Sequence, residues 1–135
     1  MAGWGTGSFE NEHAQKWLGQ LSTVGMDDLT GILRRAQESD YLEESEASAV
    51  IVAAEVIAAA SRAPRDGLPR EICDWIGQFE GKPSAELQAV AREAVDKVRR
   101  NSELRDLWQQ AEGLNEWSAG LRDLEERLTR NRASG

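Results

Sequence analysis

The chain lacks the side chains from which most sites are built. It has one cysteine, Cys73, so no internal disulfide and no cysteine-based metal site can form within it. It has one histidine, His13, which excludes a two-histidine zinc site and any di-iron bundle, where the Glu-x-x-His pattern must occur twice. Strand signals are nearly absent. There is a single tyrosine, and the β-branched residues concentrate at positions 50–57 inside an alanine-rich context that favours helix. The three prolines, Pro64, Pro69 and Pro83, fall between helical patterns rather than within them. No apolar run approaches the ~20 residues that span a bilayer, and the amino terminus has neither the basic nor the apolar region of a signal peptide. The expected compartment is the cytoplasm.

Charge is plentiful and unbalanced. Sixteen basic residues against 24 acidic ones leave a formal charge of −8 over 135 residues. Such a surface repels phosphate backbones and anionic lipid, which argues against nucleic-acid and membrane-surface roles. It favours solubility and would steer a basic protein partner at low ionic strength. Length and a hydrophobic content of 40% fit one globular domain over 1–135, with the last residues, 131–135, fraying.

The expected fold is all-α, a compact bundle of six or seven helices. Ala14, Trp17, Leu18 and Leu21 form the apolar stripe of a first helix from about Asn11, its candidate N-cap, to Gln20. A second, about 27–39, presents Met26, Leu29, Ile32, Leu33 and Ala36. The third, about 43–63, is apolar almost all round, which marks a buried central helix. Ile72, Trp75, Ile76 and Phe79 define a short fourth. Ser84 and Ser102 can cap a fifth and a sixth, and Gly113 with Asn115 marks the break before the last. That last helix carries Leu114, Trp117, Leu121, Leu124 and Leu128 at spacings of three and four. The seam lasts barely two heptads, too short for a sustained coiled coil, so packing within the chain is favoured over a homodimer zipper. Asp123 with Arg127, and Glu126 with Arg130, can pair across one turn.

Inside the third helix stands one carboxylate, Glu55. An ionised acid is costly to bury without a partner. Ser48, Glu55 and Arg62 are seven apart and share a line, so two arrangements fit: a thin exposed stripe, or a buried Glu55 that meets a partner from another element. Glu55, Glu10, Asn11 and Glu12 are the candidate members of a buried polar network. Glu10 and His13 share one helical face, a spacing that could hold at most a weak ion. The glycines at 3, 5 and 7 follow no strand and precede no lysine, so they are not a phosphate loop. They would instead permit a tight turn that buries Trp4 and Phe9. Trp4, Phe9, Trp17, Trp108 and Trp117 are the expected structural anchors, although an exposed tryptophan would mark an interface. No nucleophile signature is present. No catalytic residue, cofactor or metal is assigned.

The opening segment, with Trp4, Gly5, Gly7, Phe9, Glu10, Asn11, Glu12, Ala14 and Trp17, resembles the start of a bacterial family catalogued as domain of unknown function 4259. Its members share Trp-Gly-x-Gly-x-Phe followed by an acidic–Asn–acidic triplet. The resemblance returns at Ser102, Glu103, Leu104, Arg105, Leu107 and Trp108 and ends with Trp117 and the leucine seam. Glutamates replace the usual aspartates of the triplet, and Lys16 stands where an acid often precedes the tryptophan, which weakens any site needing fixed carboxylate placement. The resemblance implies a bacterial, helical, stand-alone protein and supplies no activity. Together these features favour a non-enzymatic module that binds another protein, immunity-like in one version. The alternative is a small-ligand or metal-binding enzyme with a carboxylate cluster around Glu55.

Overall fold

In the computed structural model, residues 12–23, 25–61, 70–78 and 83–134 are described. They form seven α-helices and one 3₁₀ turn: α1 (Glu12–Gln20), the turn Leu21–Thr23, α2 (Met26–Glu38), α3 (Glu44–Ala60), α4 (Arg70–Gln78), α5 (Ala85–Arg100), α6 (Glu103–Gln110) and α7 (Leu114–Ser134). No named strand occurs among the described residues. The all-α expectation holds, and the helix limits fall within a few residues of those read from the apolar spacing.

The axis of the bundle is α3, which packs against each of the other six helices. Every residue from Ala47 to Ala60 is buried. Seven of these fourteen are alanine, which loses no side-chain entropy on helix formation and lets neighbouring helices approach closely. Polar residues at most of these positions would be stranded away from water. Surface helices could afford one-sided patterns, and α2, α4, α5 and α6 show them clearly, each burying only the stripe that faces the core.

The helix ends are fixed by the residues expected to fix them. Ser84 Oγ accepts a hydrogen bond from the Leu87 amide at 3.0 Å, satisfying an orphan donor of α5. Ser102 Oγ accepts from the Arg105 amide at 3.1 Å and donates to the Val98 carbonyl at 2.7 Å, so one hydroxyl closes α5 and opens α6. The break before α7 falls at Gly113, as expected. Glu112, not Gly113, takes the left-handed conformation, with φ 62°. The Gly113 amide then reaches the Trp108 carbonyl at 2.9 Å, a six-residue closure of the α6 C-terminus.

Two distant turns are stitched together. The Leu42 amide donates to the Asn101 carbonyl at 3.4 Å, and the Glu103 amide donates to the Leu42 carbonyl at 2.8 Å. Glu103 Oε1 also accepts from the Glu44 amide at 2.8 Å, which satisfies a free donor at the start of α3. Tyr41 Oη donates to Asp106 Oδ2 at 2.7 Å across the same joint. The entry to the central helix is thereby tied to α6.

The leucine seam is used within the chain. Trp117, Leu121, Leu124 and Leu128 are buried, Leu114 is partly so, and α7 packs mainly on α5 and then on α3.

Candidate functional site

Glu55 sits in the middle of α3 with no exposure to solvent. The exposed stripe is therefore excluded, since Ser48 is equally buried; Arg62 lies outside the described residues. Its partner is Arg127 on α7. Arg127 Nη1 donates to Glu55 Oε1 at 2.8 Å and Nη2 donates to Oε2 at 3.2 Å, the parallel fork that matches a guanidinium to a carboxylate. Arg127 Nε donates to Asp123 Oδ2 at 3.0 Å, the one-turn pair visible in the sequence. Asp123 is 57% exposed, so the triad runs from solvent to the core and Arg127 joins the two acids. Burial alone would lower the pKa of the Arg127 guanidinium. The hydrogen bonds to Glu55, its negative charge and that of Asp123 reverse this and hold it above the ordinary arginine value.

This geometry fixes what Glu55 can do. Both carboxylate oxygens are engaged by one guanidinium and neither faces water, so Glu55 is not poised to take a proton from a substrate. It ties α3 to α7 across 72 residues of chain. The signal for Arg127 was faint but present: it follows Leu124 by three positions and so lies ~60° from it around the helix, beside the buried seam.

Glu12 is exposed at the start of α1 and does not join a buried cluster with Glu55. Its neighbour His13 is half-buried, with Nε2 3.8 Å from Glu44 Oε1 at the start of α3. Glu44 precedes Glu55 by eleven residues, roughly 16 Å along the helix axis, so His13 and Glu55 are at different levels of the bundle. Glu10, Asn11, Trp4 and Phe9 lie outside the described residues. Among the described residues no three His, Cys, Asp or Glu side chains come together as a metal site would require. Cys73 is exposed. Of the expected anchors, Trp108 and Trp117 are buried, as is Trp75, while Trp17 is only half-buried.

Trp17 lines an open groove of about 350 Å³ between α1, α2 and the first turns of α3. Ile32, Ala36, Leu42, Ala49 and Val50 complete its apolar wall, and Arg35 and Glu46 also line it. Beside it the end of α2, the turn that follows and the start of α3 carry exposed Glu38, Asp40, Glu43 and Glu46. Tyr41, half-exposed, is the one large hydrophobic side chain in the open among the described residues. Its hydroxyl is pushed up to about 12, first by the hydrogen bond to Asp106 and then by burial and the nearby acids.

The family described as Domain of unknown function (DUF4259) matches residues 3–120. The chain belongs to the DUF4259 family. The match covers α1 to α6 and the first turns of α7, including Glu55 but stopping short of Arg127. The DUF4259 match therefore contains one half of the buried pair. No curated protein and no solved structure matches the chain. No helix among the described residues is long and apolar enough to cross a membrane.

Proposed function

We propose that this protein is a non-enzymatic, cytoplasmic module of bacterial origin that binds another protein through the groove beside Trp17. The observation that carries this reading is the half-buried Trp17 and Ile32 in an open groove, next to four exposed carboxylates at the junction of α2 and α3. Interfaces are centred on aromatic anchors and rimmed by charge, and the formal charge of −8 would accelerate the approach of a basic partner. The occupant is a basic amphipathic segment of that partner, its apolar side in the groove and its lysines or arginines against Glu38, Asp40, Glu43 and Glu46. An immunity-like role, in which the partner is a small basic toxin held inactive, is one form of this reading.

The test is affinity capture from the native cell, with wild-type, Glu38→Lys/Asp40→Lys and Ile32→Glu proteins as bait. A basic protein should be recovered by the wild type, released by moderate salt, and lost with either variant while both keep their helical melt. Recovery of no partner, or of one that both variants retain, would overturn the proposal.

A further inference from the structure

A second concavity lies on another side of the bundle, where the C-terminus of α5 meets the first turns of α6 and α7. It encloses about 480 Å³ and is lined by Arg99, Arg100, Arg105, Arg122, Asn115 and Ser118, with Leu114 as the sole apolar member. No carboxylate is among these residues. In a chain with eight excess negative charges, four guanidiniums around one hollow call for a cause.

Part of the cause is local. Arg99 and Arg100 close the last turn of α5, where cations complement the helix dipole. That account fails for Arg105, which sits in the first turn of α6, the end that disfavours a cation. It fails also for Arg122, which is exposed and has no carboxylate at ion-pair distance among the described residues. Three of the four arginines are paired with nearby carboxylates that leave some of their donors unused. Asp96 holds Arg99 Nη2 at 2.7 Å and Arg100 Nε at 3.3 Å, and Glu125 holds Arg99 Nε at 2.9 Å. Arg105 Nη1 lies 3.6 Å from Asp106 Oδ1 and donates to Gln109 Oε1 at 3.2 Å. Four arginines against Asp96, Glu125 and Asp106 leave one excess positive charge, and each guanidinium has five N–H donors, more than these contacts use.

We infer that this hollow is a binding site for a compact, multiply phosphorylated small molecule. Tetrahedral phosphate oxygens suit several guanidiniums converging from different helices, and Asn115 and Ser118 add neutral donors. The hollow has the size of a small-ligand site. With Leu114 as its sole apolar lining it offers no face on which a nucleobase could stack, so the ligand is hydrophilic throughout, in the manner of a sugar bisphosphate or a short polyphosphate. The acidic remainder of the surface opposes the approach of such an anion only beyond short range. Charges farther than ~8 Å are largely screened at physiological ionic strength, whereas contacts at the arginines are not.

The test uses the full chain and inorganic pyrophosphate, titrated by calorimetry at low ionic strength, with citrate as a carboxylate of similar charge. Pyrophosphate should bind saturably, weaken as salt is added, and bind at least about tenfold more tightly than citrate. Arg122→Gln and Arg105→Gln should each weaken it by about tenfold, the value of one charge-assisted hydrogen bond or more. Arg34→Gln, an exposed arginine on α2, should leave it unchanged. Arg122 is exposed, so its variant should melt as the wild type does. Absence of saturable binding, equal or tighter binding of citrate, wild-type affinity in both pocket variants, or an equal loss in Arg34→Gln would each overturn the inference.

Discussion

Replacing Arg127 by Met should be among the most damaging single changes to this fold. Methionine fills much of the volume of the arginine stem, so the packing loss is small, and what disappears is the fork that engages both oxygens of Glu55. The carboxylate stays in the core with no exposure. Breaking a buried pair from one side costs about 3–5 kcal/mol, most of it the penalty of the charge left behind. Unfolding entropy of about 2.1 cal/mol/K per residue gives ~0.28 kcal/mol/K for this chain, so Tm should fall by roughly 10–18 °C. Glu55→Gln should cost less, about 2–3 kcal/mol, because Arg127 keeps Asp123 at 3.0 Å and Asp123 reaches solvent.

The double variant decides between a pair and two independent sites. If the ion pair is the cause, Glu55→Gln/Arg127→Met should be no less stable than Arg127→Met alone, giving a coupling of ~2 kcal/mol in a double-mutant cycle of urea melts. A loss below about 1 kcal/mol for Arg127→Met, or additivity of the two changes within ~0.5 kcal/mol, would refute the argument.

Three further outcomes follow from single observations. Ser48 Oγ is buried with no hydrogen-bond partner among the described residues, so Ser48→Ala should raise stability by about 1 kcal/mol, or ~3–4 °C in a thermal melt; any destabilisation would show a partner for the hydroxyl. Glu112 holds φ 62° on an exposed turn, so Glu112→Gly should stabilise by up to ~1 kcal/mol in the same melts, whereas Glu112→Ala should not. Tyr41 is the sole tyrosine, so its ionisation can be followed by absorbance without interference from others. The native midpoint should lie near 12 against 10 for the unfolded chain, and Asp106→Asn should return it toward 10. Because the folded value is the higher one, the stability from this contact is fully present below pH 10 and is lost as pH rises through about 12.

What the sequence made legible was local or periodic. Apolar positions three and four apart located the helices, Ser84 and Ser102 gave away two of their starts, and the stretch from Ala47, apolar almost all round, showed which helix would be surrounded. The same logic separated the leucine seam from a dimer zipper, because two heptads bury a helix within a bundle but do not sustain a coil. Gly113 and Asn115 marked the break before α7 in the same way, although its left-handed residue is Glu112 and Gly113 supplies the closing amide.

What stayed hidden was assembled from separate elements. Glu55 announced that it needed a partner but could not name one 72 residues away, and the line through Ser48 and Arg62 offered a competing answer. Arg127 was already explained by Asp123 one turn earlier, and an explained residue draws no further question. The arginine hollow was hidden in the same way. Arg99 and Arg100 suit a helix C-terminus and Arg105 pairs beside Asp106, so each is accounted for within its own helix. Their convergence with Arg122 exists only once α5, α6 and α7 are packed. A local pairing accounts for the position of a charge without exhausting its donors, and in both cases the donors left over point to the longer-range role. For Arg127 that role is to hold Glu55 and close the core. The hollow differs in one respect: its surplus faces outward, toward something the chain itself does not supply.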